Sequence, residues 1–248
     1  MKKVRALYRL ILFAVTACFC IVRIVLLSLV VGADVRRFMR LRQRWLLWLL
    51  PKLGVRLHVL GTAPDFPCIL MGNHRSYLDP VLLASIVLGY PVSKAEVSRW
   101  PIIGYGAKVS GVLYLKRESA TSRKRTLGGI VEKLREGFPV MLYPEGTSHS
   151  QPTTIEFKPG SFKLAAAEGF SVAPVAVEYR FPADYWVGDD TFLAHFFRRF
   201  GEKEMHVYLR FGPPIQSTDS EEMRVQTRDW IDAALRDIQR GFGDAETQ

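Results

Sequence analysis

The sequence predicts an α/β domain, a mainly parallel or mixed sheet flanked by helices, preceded by an N-terminal helical segment that associates with a membrane. Three observations carry this. From residue 53 onward, short apolar runs alternate with longer helical patterns. The first 52 residues hold 11 Lys and Arg and a single acid, Asp34, whereas the remaining 196 hold 23 of each sign. Residues 10–31, LILFAVTACFCIVRIVLLSLVV, form an apolar stretch broken by one charge, Arg23. A chain of 248 residues, 48% hydrophobic, is long enough for one sizeable core and short for two. The expected division is a basic anchoring segment, 1–52, and a globular domain, 53–248.

The net charge of +10 therefore belongs to the N-terminal segment. A nucleic-acid binder spreads its basic residues over a folded face. Basic residues interleaved with Leu, Ile, Phe and Trp suit an anionic membrane surface instead. As a helix, residues 10–31 reach about 33 Å, enough for a bilayer core. A central Arg costs about 3 kcal/mol there, and fifteen Leu, Ile, Phe and Val at roughly 0.3–0.6 kcal/mol each offset it. The apolar region is too long for a cleaved signal, and no small-x-small site precedes the next basic cluster. Basic residues flank both ends: Lys2, Lys3, Arg5 and Arg9 on one side, Arg36, Arg37, Arg40, Arg42 and Arg44 on the other. The positive-inside rule places both ends at the cytoplasmic face, which a helix lying in one leaflet or a shallow hairpin satisfies and a straight span does not. Trp45 and Trp48, set among basic residues, suit an interfacial helix.

In the body, VRLHVLG (55–61) alternates and reads as a half-buried strand. CILMG (68–72) and VMLYP (140–144) read as buried strands, and SVAPVAVEY (171–179) and MHVYLRFG (205–212) as further ones. GVLYLKRES (111–119) reads as a strand ending in Lys116 and Arg117. Helices are expected over 80–89, 121–136 and 161–168. An amphipathic helix closes the chain, capped by Asp219 or Ser220 and ended by Gly241. Cys18, Cys20 and Cys68 show no metal-ligand spacing and no disulfide framework, which suits a reducing compartment.

Three stretches could carry chemistry. In NHRSYLDP, Asp79 before Pro80 is a helix start with Asp as N-cap. His74 is then either an idle loop residue or the partner of Asp79. On one regular helix, residues five apart lie about 140° apart in azimuth, so the pair meets only if residues 73–78 turn. A carboxylate on one imidazole nitrogen fixes the tautomer and equips the other as a general base. YPEGTSHS (143–150) is either an exposed turn or a set of polar groups at a strand end, and it lacks the second Gly of a nucleophile elbow. Lys116 and Arg117 are either two solvated charges or a receptor for phosphate or carboxylate.

Four blocks stand in order: NHRSYLD, GVLYLKR, YPEGTSHS followed by FKPG, and VAPVAV. On these, residues 66–180 resemble the membrane-associated glycerolipid acyltransferases, the group that includes 1-acylglycerol-3-phosphate acyltransferase. The resemblance implies a glycerol-3-phosphate acyltransferase-like fold, His74 as general base and Asp79 as its orienting carboxylate. It implies that Lys116 and Arg117 contact an acceptor phosphate, that Glu145, Gly146 and Thr147 shape the acceptor pocket, and that Pro174 serves donor binding or packing. The reaction implied is acyl transfer from an acyl-CoA or acyl-carrier-protein thioester to a lysophospholipid hydroxyl, without cofactor or metal. Backbone amides near Asn73 or Gly146 are the candidate oxyanion donors. One departure stands out. Lysophosphatidate-specific members carry Arg after Glu-Gly-Thr, and here that position is Ser148. Lysophosphatidate is the first acceptor implied; a lyso-aminolipid or a lyso-phosphodiester is the alternative. A lipid hydrolase using the same His and Asp, and a non-catalytic membrane protein, are the rivals of another class.

Overall fold

The computed structural model describes residues 1–115 and 120–244. Two helices open the chain, α1 (Lys2–Val31) and α2 (Val35–Lys52). Gly32, at φ 79°, breaks between them, and the Asp34 carboxylate accepts the Arg37 N–H to start α2. There follow β1 (Val55–Leu60), β2 (Ile69–Gly72), α3 (Asp79–Ile86) and β3 (Tyr90–Lys94). After a 3₁₀ turn (Ala95–Arg99) come α4 (Ile103–Val109), β4 (Leu113–Leu115), α5 (Ala120–Arg135) and β5 (Val140–Leu142). Then α6 (Gly160–Glu168), β6 (Val172–Tyr179), α7 (Phe192–Arg199), β7 (Met205–Phe211) and α8 (Ser220–Asp244) complete the chain.

The seven strands form one mixed sheet in the order β1-β7-β6-β2-β5-β3-β4. All neighbours run parallel except β6 and β7, so β1 and β7 oppose the other five. Helices cover both faces, and central strands are buried on both sides. Along β2, Leu70 packs into one core with α2, α3 and α7, while Ile69 and Met71 pack into a second with α5, α6 and α8. Every residue of β6 is buried, Pro174 included. A proline is rare in a central strand because it cannot donate. Here Ser171 and Val177 direct their backbone groups to the β2 side, so Pro174 turns the other way. On that side the ladder with β7 begins one residue later, and Gly212 donates to the Pro174 carbonyl.

Several expectations change. β3, α4 and α7 are additional elements. α8 runs through Gly241 to Asp244, because Gly241 keeps a helical backbone; its start is capped by Asp219, whose Oδ1 accepts the Glu221 N–H at 2.8 Å. The basic N-terminal segment is not wholly a surface feature. Arg9 and Arg42 are buried. Arg9 donates to the carbonyls of Phe200, Glu202 and Lys203, and Arg42 to those of Gly89, Ser110 and Gly111. Burial pulls the Arg42 guanidinium down to about 10, still charged at neutral pH. These two arginines fasten α1 and α2 to the body, and Leu49, Leu50 and Leu53 join its core. The three cysteines are free, and burial pushes the Cys68 thiol up to about 12.

Candidate active site

The carboxyl ends of parallel strands are where such sheets place their sites, because loops there leave the backbone ladder together. At the end of β2, the Asn73 side chain continues that ladder. Its Nδ2 donates to the Val177 carbonyl and its Oδ1 accepts the Val177 N–H, both at 2.8 Å. The chain then turns freely over 73–78, and His74 folds back onto Asp79, with Nδ1 to Oδ2 at 2.7 Å.

Asp79 does not cap α3. It is the first helical residue, Leu78 holds the cap position, and no side chain caps the helix. A side chain in the first turn points back toward the preceding residues, so the carboxylate meets amides upstream. Oδ2 accepts the N–H groups of Arg75 (2.7 Å) and Ser76 (2.8 Å) as well as His74 Nδ1, and Oδ1 accepts the Tyr179 hydroxyl at 2.6 Å. Four donors thus fix a carboxylate that is wholly buried. A carboxylate only accepts, so Nδ1 carries the hydrogen and Nε2 holds the free lone pair. The His74 side chain is 21% exposed, and among the described residues nothing bonds Nε2. The ring stacks on Tyr143, with centroids 4.4 Å apart. Burial, with the Asp79 charge behind it, pushes the Tyr143 phenol well above its ordinary range, so it is a neutral wall.

From the end of β5, Glu145 reaches beneath His74. Its Oε2 accepts the His74 N–H at 2.6 Å; its Oε1 accepts the Ile155 N–H and His149 Nε2. The His149 N–H in turn donates to the His74 carbonyl at 3.2 Å. The backbone of His74 is therefore held at both its N–H and its C=O by one loop. Glu145 is fully buried and acts on His74 from below, which is a different place from the wall of an open pocket. Gly146 turns at φ 76°, and a Cβ there would come within 2.7 Å of Lys158 Nζ. Its N–H already donates to the Tyr143 carbonyl, which removes it as an oxyanion donor. Thr147 is exposed beside the turn. Lys116 and Arg117 lie outside the described residues. The Ser148 hydroxyl donates to the Trp186 carbonyl at 2.5 Å.

Arg75 went unmarked in the sequence and is fully buried. It donates to the carbonyls of His149, Gln151 and Pro152, pairs with buried Glu178 at 3.3 Å, and so braces the two site loops together. Its charge at position 75 gave no sign of burial, because its partners are carbonyls and a residue 103 positions away. Tyr179 was hidden for the same reason. Among the described residues, no group of three or more His, Cys, Asp or Glu could hold a metal.

The arrangement can withdraw a proton through Nε2 of His74 while Asp79 steadies the cation formed. Comparison with known proteins gives this geometry its context. Residues 54–178 match the sequence profile described as Acyltransferase. Over 212 residues, 82% of this chain and of the relative, the sequence is 32% identical to lyso-ornithine lipid O-acyltransferase from Pseudomonas aeruginosa. Over 116 residues it is 34% identical to a chloroplastic 1-acyl-sn-glycerol-3-phosphate acyltransferase from Brassica napus, covering 46% of this chain and 34% of that one. The fold matches the crystal structure of the 1-acyl-sn-glycerophosphate (LPA) acyltransferase PlsC from Thermotoga maritima with a TM-score of 0.71 at 20% identity, over 100% of this chain and 99% of the other. Profile, sequence relatives and fold agree: the chain belongs to the acyltransferase family, as an O-acyltransferase of the lysophospholipid-acylating type.

Proposed function

We propose that the protein transfers an acyl group from an acyl-CoA or acyl-carrier-protein thioester to the free hydroxyl of a lyso-aminolipid of the lyso-ornithine type, with His74 as general base. The observation that carries the acceptor is Ser148. It stands where lysophosphatidate-specific members have Arg, and its hydroxyl is occupied by the Trp186 carbonyl. No cation at that position is left to grip a phosphomonoester. The relative matched over 82% of both chains, named for lyso-ornithine lipid, supports the same reading. Lysophosphatidate is the second reading, favoured by Lys116 and Arg117 and by the chloroplastic relatives.

In this reaction Nε2 of His74 takes the hydroxyl proton as the oxygen attacks the thioester carbonyl. The Asp79 carboxylate stabilises the imidazolium. The tetrahedral intermediate collapses, the new ester forms, and the C–S bond breaks. The proton passes from His74 to the departing thiolate. A thioester is already activated, so no acyl-enzyme is required.

The N-terminal pair serves as a monotopic anchor at the cytoplasmic face, the body beyond residue 53 being the catalytic domain. α1 is long and apolar enough to cross a membrane. Yet Val4, Leu7, Ile11, Val15, Phe19, Val22, Leu26 and Leu29 form an exposed stripe at helical spacing, while Ala6, Arg9, Ala17 and Ile24 on the other side are buried. A helix held to the body near both ends, with one apolar face bare, suits burial in one leaflet.

The test is an assay of the purified full chain in detergent with a labelled acyl thioester and a panel of lysolipids. A lyso-aminolipid ester as the preferred product is expected; phosphatidate as the preferred product would move the assignment to lysophosphatidate. Ser148→Arg should raise activity on lysophosphatidate relative to the lyso-aminolipid. An N-terminus protected from protease on the non-cytoplasmic side would remove the monotopic anchor.

A further inference from the structure

Away from His74, a cleft of about 660 Å³ lies between the first turns of α1 and residues 199–204, at the end of α7 and just beyond it. Its lining carries four cations, Lys2, Arg5, Arg199 and Lys203, against Glu202 and Glu204. The two acids are already answered: Glu202 by Lys2 at 2.7 Å, and Glu204 by Arg56 from outside the cleft at 2.6 Å. Arg199 is answered by the buried carboxylate of Asp184. That leaves two cations to set the character of the cleft. Lys203 is exposed, and its ammonium bonds nothing among the described residues. Arg5 makes one bond, Nη1 to the Gly201 carbonyl at 3.1 Å, and keeps its other donors.

Past the end of α7 the backbone offers carbonyl oxygens, which disfavour an anion. Four of these are engaged by arginines: Phe200, Glu202 and Lys203 accept from Arg9, and Gly201 accepts from Arg5. With those four carbonyls engaged, the cationic side chains set the character of the cleft, a setting for an anion. Its rim is apolar. Phe181 lines it at 46% exposure, and Val4 and Tyr8 flank Arg5 at 72% and 62%. That rim is continuous with the bare stripe of α1.

We propose that this cleft holds the phosphate headgroup of an anionic phospholipid, with Lys203 and Arg5 as its contacts and the acyl chains following the α1 stripe. The site shares no lining residue with the His74 loops, so it binds a lipid of the surrounding bilayer and not a substrate. The inference rests on monotopic attachment. A free phosphate has the same headgroup chemistry but makes no use of Phe181, Val4 and Tyr8.

Binding of the full chain to phosphatidylcholine vesicles, with and without phosphatidylglycerol, tests it. Lys203→Glu is compared with Arg40→Glu, an equal charge change on an exposed residue of α2. General surface attraction predicts equal losses of roughly fivefold for each charge removed. A headgroup site predicts that Lys203→Glu loses at least about tenfold more binding to phosphatidylglycerol vesicles than Arg40→Glu, with phosphatidylcholine binding and acyl transfer in detergent unchanged. Equal losses, or none, would overturn the cleft while leaving attachment intact. Failure of the wild type to bind either vesicle would instead remove attachment. In detergent, soluble short-chain phosphatidylglycerol should raise the melting temperature of the wild type but not of Lys203→Glu. Inorganic phosphate doing so equally well would assign the cleft to a free anion.

Discussion

The loops after β2 and β5 each carry a histidine paired with a buried carboxylate, at nearly the same distance. His74 meets Asp79 at 2.7 Å, and His149 meets Glu145 at 2.8 Å. What differs is the second nitrogen. His149 donates from Nε2, while its Nδ1 receives the Gln151 N–H and the Arg75 guanidinium. Both nitrogens are occupied, and the ring is a fastener. His74 has Nδ1 held, and among the described residues nothing bonds its Nε2. A histidine–carboxylate pair becomes a base only where the fold leaves that second lone pair unclaimed. The two pairs also cooperate, because Glu145, which His149 holds, fixes the backbone of His74.

Substitutions can break this comparison. The largest effect is expected from His74→Ala, a fall in kcat of at least about 10²-fold with the fold preserved by circular dichroism. A loss within threefold of wild type would remove His74 as the base. Next is Asp79→Asn. Its amide can offer a donor to Nδ1 and favour the wrong tautomer, so kcat should drop at least about tenfold with little change in KM. Tyr179→Phe leaves Asp79 Oδ1 without its donor and should cost about 1–3 kcal/mol of stability, read by denaturant melts, with a smaller loss of kcat. His149→Gln should cost about 1 kcal/mol of stability and less than about fivefold in kcat. Were it to abolish transfer as fully as His74→Ala, the distinction between base and fastener would collapse.

The smallest effect sharpens the comparison through a third histidine. His195 donates from Nε2 to the Asp184 carbonyl and accepts the Tyr77 hydroxyl at Nδ1. Burial holds its titration below the usual 6.5, although Asp190 pulls the other way. A depressed folded value means that its contribution is fully present above the unfolded pKa and is lost as pH falls through the folded one. Wild type should therefore melt lower at pH 5 than at pH 7.5. His195→Phe should shrink that difference, and an unchanged difference would place the acid sensitivity elsewhere.

Much of the frame was legible in the chain. CILMG, VMLYP and SVAPVAVEY read as buried strands because a sheet covered on both faces leaves no polar alternation. β3 was not legible. YPVSK has too little apolar pattern, and it is a strand because Tyr90 and Val92 pair with Val140 and Leu113. α7 was missed because eight residues, FLAHFFRR, offer only about two turns of pattern before the chain changes direction. At the site, the five-residue spacing of His74 and Asp79 was legible, and the need for a turn between them followed from helix geometry. The role of Asp79 as a cap did not survive, since its oxygens are claimed by Arg75, Ser76, His74 and Tyr179.

By itself the sequence determined the α/β class, the order of the motif blocks, His74 and Asp79 as a candidate pair, and an apolar helix rich in flanking charge. Each depends on local pattern or on neighbours a few residues apart. Only the tertiary structure decided which charges are buried, which carboxylate sits under which backbone, and which histidine nitrogen stays open. Arg9 with the 200–203 carbonyls, Arg75 with Glu178 and Tyr179 with Asp79 join residues 100 or more positions apart. Such pairings are set by how the sheet stacks its strands. No residue type announces them, because a buried polar group is defined by the partners that the fold brings to it.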